Sequence, residues 1–168
     1  MKTIDSIDKI NQLTKNDFID IFGNVFEKTI WISEKVYELR PFLDFKELSI
    51  KFNVLFENQT KEAHLKILNF HPELAVEKIM TQESKVEQNK AKLNECSKEE
   101  FDEFKKLNNK YKEKFKFPFI IAVAGKNRSE ILKNFKIRIK NNEYMEFEEA
   151  KKQVKKIANL RLKLIYNN

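Results

Sequence analysis

Glycine is nearly absent from this chain, with two residues in 168, alongside three prolines and one cysteine. Hairpins and tight turns draw on glycine, asparagine-glycine pairs and proline, so a sheet built from hairpins is not expected. The lone Cys96 rules out an internal disulfide framework and leaves too few thiols for a structural zinc site. No apolar run approaches the roughly 18 residues that span a bilayer. The opening Met1-Lys2-Thr3-Ile4-Asp5 lacks the apolar core of a secretory signal. Neither secretion nor membrane insertion is expected. The closing Ile165-Tyr166-Asn167-Asn168 carries no Ser-Lys-Leu peroxisomal address, so a cytoplasmic setting is the expectation.

Arginine is scarce too. Lysine and arginine together number 33 against 26 acidic residues, a net charge of +7, yet Arg40, Arg128, Arg138 and Arg161 are the only arginines. Nucleic-acid binders concentrate Arg and Lys on one face beside exposed aromatics. Here lysine is interleaved with glutamate, as in Lys98-Glu99-Glu100 and Lys112-Glu113-Lys114. That pattern reads as a solvated surface rather than a nucleic-acid footprint.

What the chain does have is apolar material at helical spacing. Hydrophobic residues make up 41% and fifteen are Phe, enough for a substantial core. Ser97-Lys98-Glu99-Glu100 is a capping box, followed by Phe101, Phe104, Leu107, Tyr111 and Phe115 along one stripe. Thr14 marks a second start, before Phe18, Ile21 and Phe22. Helices are also expected from Asp44 or Phe45 to about Asn58, from Lys61 to Asn69, after Ser129, and from about Phe147 to Tyr166. The exception is Phe117-Pro118-Phe119-Ile120-Ile121-Ala122-Val123-Ala124-Gly125, an apolar run with no second strand of like quality to pair with it. A solitary strand would leave its backbone unsatisfied, so a buried turn or short helix is expected. No repeat, linker or boundary interrupts the chain. It reads as a single all-α domain, residues 1–168, of about seven to nine helices.

Few residues can carry chemistry. His64 lies mid-helix among charged neighbours and reads as a surface histidine. His71 stands at a helix end, after Leu68 and Phe70 and directly before Pro72. The proline pushes it out of the α region, which fixes an imidazole on a turn among apolar neighbours. Such a group can act as acid or base near neutrality, though a purely structural histidine remains open from the residues alone. Thirteen residues on, Ser84, Glu87 and Gln88 share one helix face if that segment is helical. Together they offer a hydroxyl, a carboxylate and a carboxamide, a match for a ureido group. Ser84 to Glu87 also has the spacing of another capping box. Arg161 follows Val154, Ile157 and Ala158 at helical intervals, so it points inward. There an unpaired guanidinium is expensive. Its partner is then an acid such as Glu87 or a substrate carboxylate, and a plain structural ion pair is the alternative.

The ordered set of segments resembles one family. Phe22-Gly23-Asn24-Val25-Phe26-Glu27-Lys28-Thr29, Trp31-Ile32-Ser33-Glu34 and His71-Pro72-Glu73-Leu74-Ala75 come first. They are followed by Ser84-Lys85-Val86-Glu87-Gln88, Leu107-Asn108, Tyr111, Phe117-Pro118-Phe119-Ile120 and Ile157-Ala158-Asn159-Leu160-Arg161-Leu162. In this order, spread from about residue 13 to 164, they resemble the 2-oxo-4-hydroxy-4-carboxy-5-ureidoimidazoline (OHCU) decarboxylases of urate degradation.

The resemblance implies a compact all-α fold and cofactor-free, metal-free decarboxylation of a small molecule, OHCU, to (S)-allantoin. It implies His71 as the catalytic imidazole, with Glu87 orienting it or accepting ureido N–H bonds. Pro72, Ser84, Gln88, Phe119, Ile120, Ile121 and Val123 would line the pocket, and Arg161 would anchor the substrate. It leaves room for a homodimer, although no stretch marks a subunit interface. In three places the chain departs from the family, carrying Val76, Lys92 and Lys116 where members have glycine. A position needing positive φ would be strained by a side chain, while in so glycine-poor a chain compositional drift is the simpler account. Two other readings stay open: an inactive relative serving as an interaction module, and a basic nucleic-acid binder whose affinity falls steeply with salt.

Overall fold

The computed structural model describes residues 3–75 and 81–166. Nine α-helices and one 3-10 turn make up its regular structure, and the only pairing of extended backbone among these residues is a single bridge between Ile4 and Tyr166. No helix among them is long and apolar enough to cross a membrane. The chain divides into two compact units, one of residues 3–67 and 155–166 and the other drawn from residues 68–154. The expected all-α class is what the chain adopts.

The first unit holds α1 (Ile7–Gln12), α2 (Lys15–Phe22), α3 (Ile30–Tyr37), α4 (Phe45–Glu57), most of α5 (Lys61–Phe70) and the end of α9 (Glu143–Ile165). Two starts expected from the sequence are built as expected. Thr14 accepts from the Asp17 amide at 3.2 Å, and Asp44 accepts from the Glu47 amide at 2.7 Å. Phe18, Phe22, Phe26, Phe52 and Phe56 are fully buried and touch in series, with Phe26 stacked on Phe56 at 4.9 Å. Gly23 ends α2 where a Cβ would lie 2.5 Å from the Ile19 carbonyl oxygen, so only glycine fits.

His64 corrects the surface reading. It is 3% exposed, its Nε2 lies 2.8 Å from the Phe56 carbonyl oxygen, and its ring meets Phe56 edge-on at 4.8 Å. The charged neighbours Lys61, Glu62 and Lys66 lie on other faces of α5, while His64 shares the buried face with Ile67 and Leu68.

The second unit contains α6 (Gln82–Lys90), a 3-10 turn (Leu93–Glu95), α7 (Lys98–Phe115), α8 (Arg128–Arg138) and the start of α9. The Ser97–Glu100 capping box is present, with both reciprocal bonds made, at 3.2 and 2.9 Å. Two boundaries differ from expectation. Asn127, not Ser129, caps α8, with Glu130 closing a second box. And α9 begins at Glu143 rather than Phe147, because Asn142 accepts from the Met145 amide and starts the helix earlier.

The apolar run after α7 is neither helix nor strand. Residues 117–123 are buried irregular backbone, closed by a turn in which the Lys126 amide donates to the Val123 carbonyl and Gly125 takes φ +74°. The short-helix alternative is thereby corrected. Side chains meet the backbone's needs instead, as Arg138 donates to the Ile120 carbonyl at 2.7 Å and the Ala122 amide donates to Gln153 Oε1 at 3.0 Å.

Two of the glycine-replacing residues do sit at positive φ: Lys92 at 57° and Lys116 at 65°. Val76 lies outside the described residues. Lys116 caps α7 in the left-handed region where glycine is usual. A side chain there costs about 1–2 kcal/mol, partly offset by the extra chain entropy a glycine loses on folding. Lys116→Gly is expected to stabilise the protein by about 0.5–1 kcal/mol, raising the melting midpoint by about 2–3 °C in a thermal melt. A lowered midpoint would contradict this.

Candidate active site

The site begins at the end of α5. Pro72 cannot continue a helix and restricts the residue before it, so the chain leaves the helix at His71, whose amide donates to the Leu68 carbonyl at 3.2 Å. His71 is 8% exposed. The three residues after Pro72 are gripped by side chains from two helices. From α6, Gln88 donates through Nε2 to the Glu73 carbonyl and accepts at Oε1 from the Ala75 amide, each at 3.2 Å. From α7, Asn108 Nδ2 donates to the Leu74 carbonyl at 2.9 Å. Lys112 pairs with Glu73 at 3.3 Å, and Asn69, two residues before His71, donates to the Lys116 carbonyl at 3.1 Å. Ala75 has φ +52°, a conformation these bonds help to hold.

The polar face expected on the segment after residue 80 exists. Its cap is Thr81, which accepts from the Ser84 amide at 3.3 Å, so the capping-box reading of Ser84 is corrected: Ser84 lies inside α6. Ser84 and Gln88, one turn apart, are both buried, and Glu87 is half-buried at their flank. Gln88 thus joins the polar face to the His71 turn.

The Phe119–Val123 run is held by a buried ionic network that the sequence reading did not single out. Arg138 reaches Glu146 Oε1 through Nε at 3.0 Å and through Nη2 at 2.6 Å. Glu146 also accepts from Tyr111 and from Asn141. The guanidinium lies 4.6 Å from the Phe119 ring centre, and Phe119 stacks on Phe135 at 3.9 Å. Burial, and then the Glu146 carboxylate beside it, push the Tyr111 hydroxyl far above its ordinary range, so Tyr111 remains a neutral donor.

Arg161 belongs to the first unit. It points inward as its spacing requires, at 1% exposure, and Nη1 donates to the Asn24 carbonyl at 2.8 Å and to Glu27 Oε2 at 3.0 Å. Glu27 is the acid on Arg161 within this unit, and it is wholly buried. Glu27 lies in the irregular stretch between α2 and α3, where no periodicity signals an inward side chain; Thr29 ties down its carbonyl at 2.8 Å.

The second unit carries an imidazole fixed on a turn and a buried polar helix face, the first a buried guanidinium, and both units are built from helices, which defines the class as an all-helical protein. The fold matches the crystal structure of (S)-allantoin synthase with a TM-score of 0.80 at 21% identity, covering 98% of this chain and 54% of that one. It also matches OHCU decarboxylase crystallised in the presence of (S)-allantoin, with a TM-score of 0.70 at 21% identity, over 91% of this chain and 99% of that one.

The family model for OHCU decarboxylase covers residues 11–163, and the chain belongs to that family. It is 34% identical over 157 residues to 2-oxo-4-hydroxy-4-carboxy-5-ureidoimidazoline decarboxylase of Haloferax volcanii, covering 94% of each chain. It is 31% identical to the decarboxylase of the same name from Mus musculus, over 92% of this chain and 89% of that one. A uric acid degradation bifunctional protein of Bacillus sp. (strain TB-90) is 38% identical, but this chain spans only 32% of its length.

Proposed function

We propose that the chain is a lyase that decarboxylates OHCU to allantoin in urate degradation. The observation that carries this is the 34% identity to the Haloferax volcanii decarboxylase across 94% of both chains. The family match runs through both compact units, which supports their acting as one functional domain.

The chemistry asks little of a cofactor. OHCU carries a carboxylate and a hydroxyl on one ring carbon. When the C–C bond to the carboxylate breaks, CO₂ departs and the electron pair passes into the adjacent ring C=N and carbonyl. A proton must leave the hydroxyl and another must arrive at carbon. His71 is the group in this chain for both transfers, a role worth about 10²- to 10⁴-fold in rate. Gln88 and Ser84 offer polar contacts to the ureido arm, and Glu87 accepts its N–H groups or orients His71. Pro72, Phe119, Ile120, Ile121 and Val123 line the pocket and keep water out. Arg161, already ordered by Asn24 and Glu27, is the anchoring guanidinium; prior ordering lowers the entropy cost of binding. Delivery of the proton to one face gives a single enantiomer, (S)-allantoin. A cytoplasmic setting belongs to the proposal, supported by a chain with a single, half-buried, unpaired Cys96.

Freshly generated OHCU, followed by absorbance and by the chirality of the product, tests the reading. Rapid decay to one enantiomer is the expected result. Racemic allantoin formed at the uncatalysed rate would reject it in favour of an inactive relative.

A further inference from the structure

Asn108 occupies a position that packing alone would give to an apolar residue. It falls four residues after Phe104, three before Tyr111 and seven before Phe115, all buried on the same face of α7, and it is itself 3% exposed. Its Nδ2 donates to the Leu74 carbonyl at 2.9 Å, whereas its Oδ1 is buried with no hydrogen-bond partner among the described residues. A buried acceptor left without a donor weakens a fold. Leucine, of nearly the same shape, would fill the stripe and remove that acceptor, and would exchange it for a Leu74 carbonyl without its donor, so the amide brings the fold little net gain. The amide's contribution therefore lies elsewhere, in its hold on the turn that follows His71.

We propose that Asn108 is a positioning residue for His71. The turn has three consecutive residues pinned by two carboxamides: Glu73 and Ala75 by Gln88 of α6, and Leu74 by Asn108 of α7. Gln88 grips the two ends and Asn108 the middle, from a different helix. Pro72 has a fixed φ, so a displacement of the 73–75 backbone is passed to His71 rather than absorbed between them. Ala75, at φ +52°, lies in a region the free chain seldom visits, so releasing the turn gives it somewhere to go. A displacement of about 1 Å at a reacting group costs on the order of 100-fold in rate. Asn108 acts through His71 and need not touch substrate.

This inference rests on His71 as the catalytic imidazole of the proposed reaction, and the experiment separates the two. Asn108→Leu and Asn108→Ala are compared with the parent by thermal melt, steady-state kinetics and amide hydrogen exchange resolved at Leu74 and Ala75. For the Leu variant the expected result is a melting midpoint within a few degrees of the parent's, since one unpaired acceptor replaces another, kcat lowered about 10- to 100-fold with KM within about threefold, and faster exchange at both amides. The Ala variant melts lower because it leaves a cavity, yet shows the same kcat loss, so the loss follows the amide and not the packing. A Leu variant that melts well below the parent overturns the proposal, since the amide would then serve the fold. Parent-like kcat and parent-like exchange in the Leu variant also overturn it. A parent without turnover rejects the decarboxylase reading instead, and the exchange at Leu74 and Ala75 then decides the positioning role on its own.

Discussion

Replacing His71 with Asn lowers kcat by two to four orders of magnitude while the melting midpoint stays within a few degrees of the parent's. The rate loss is what a general acid–base group is worth, about 3–5 kcal/mol of barrier. A carboxamide keeps polarity and much of the shape but neither takes nor gives a proton near neutrality. The fold is expected to survive because the turn is held by several bonds to its backbone that the substitution leaves in place. Its amide bond to Leu68, the Pro72 restriction, and the grips of Gln88 and Asn108 on residues 73–75 all act on backbone. The readouts are kcat with freshly made OHCU, the enantiomeric composition of the allantoin, and a thermal melt. Full turnover to a single enantiomer in H71N would take His71 out of the mechanism.

That turn was legible because two local rules coincide there: a hydrophobic helical pattern ends and a proline follows. The capping box at Ser97 was equally plain, as its residues specify one another over three positions. Burial of polar residues was harder. Arg161 was recognised as inward by its intervals from Val154, Ile157 and Ala158. The same test applied to α8 places Arg138 seven residues after Ile131 and three after Phe135, and applied to α7 it places Asn108 within the Phe104–Tyr111 stripe. Both signals were present and outweighed by residue type, since polar side chains are assumed to face water. His64 was misplaced for the same reason, its phase with Ile67 and Leu68 masked by flanking charge. Glu27 had no periodic signal, only its place in a segment that resembles the family. It sits in irregular backbone, and its partner is 134 residues away in the chain, so only the fold brings them together. The 117–123 run was readable as buried but not in conformation, because the groups that satisfy its backbone, Arg138 and Gln153, come from other elements.

Arg138→Met destabilises the protein by about 3–5 kcal/mol, the usual cost of stripping one partner from a buried ion pair. Glu146, with no exposed surface, would be left with only Tyr111 and Asn141 to donate to it, and the Ile120 carbonyl would lose its 2.7 Å donor. Against a typical total of 5–15 kcal/mol that is a large fraction, equivalent to about 10–15 °C in the melting midpoint for a chain of this size. The arithmetic changes when both charges go. Arg138→Met combined with Glu146→Leu removes the uncompensated carboxylate, leaving two apolar side chains and a Tyr111 hydroxyl in need of an acceptor. The double variant should therefore melt above R138M although Glu146→Leu alone melts below the parent, a sign reversal that independent contributions cannot produce. R138M and the double variant both release the Ile120 carbonyl, so, if the 119–123 run lines the pocket as proposed, a rise in KM should appear in each and not follow the recovery in stability, because that run is loosened in both. A double variant that melts no higher than R138M would show that charge burial is not what fixes this part of the core. A KM that recovers along with the melting point would remove Arg138 from any part in shaping the pocket.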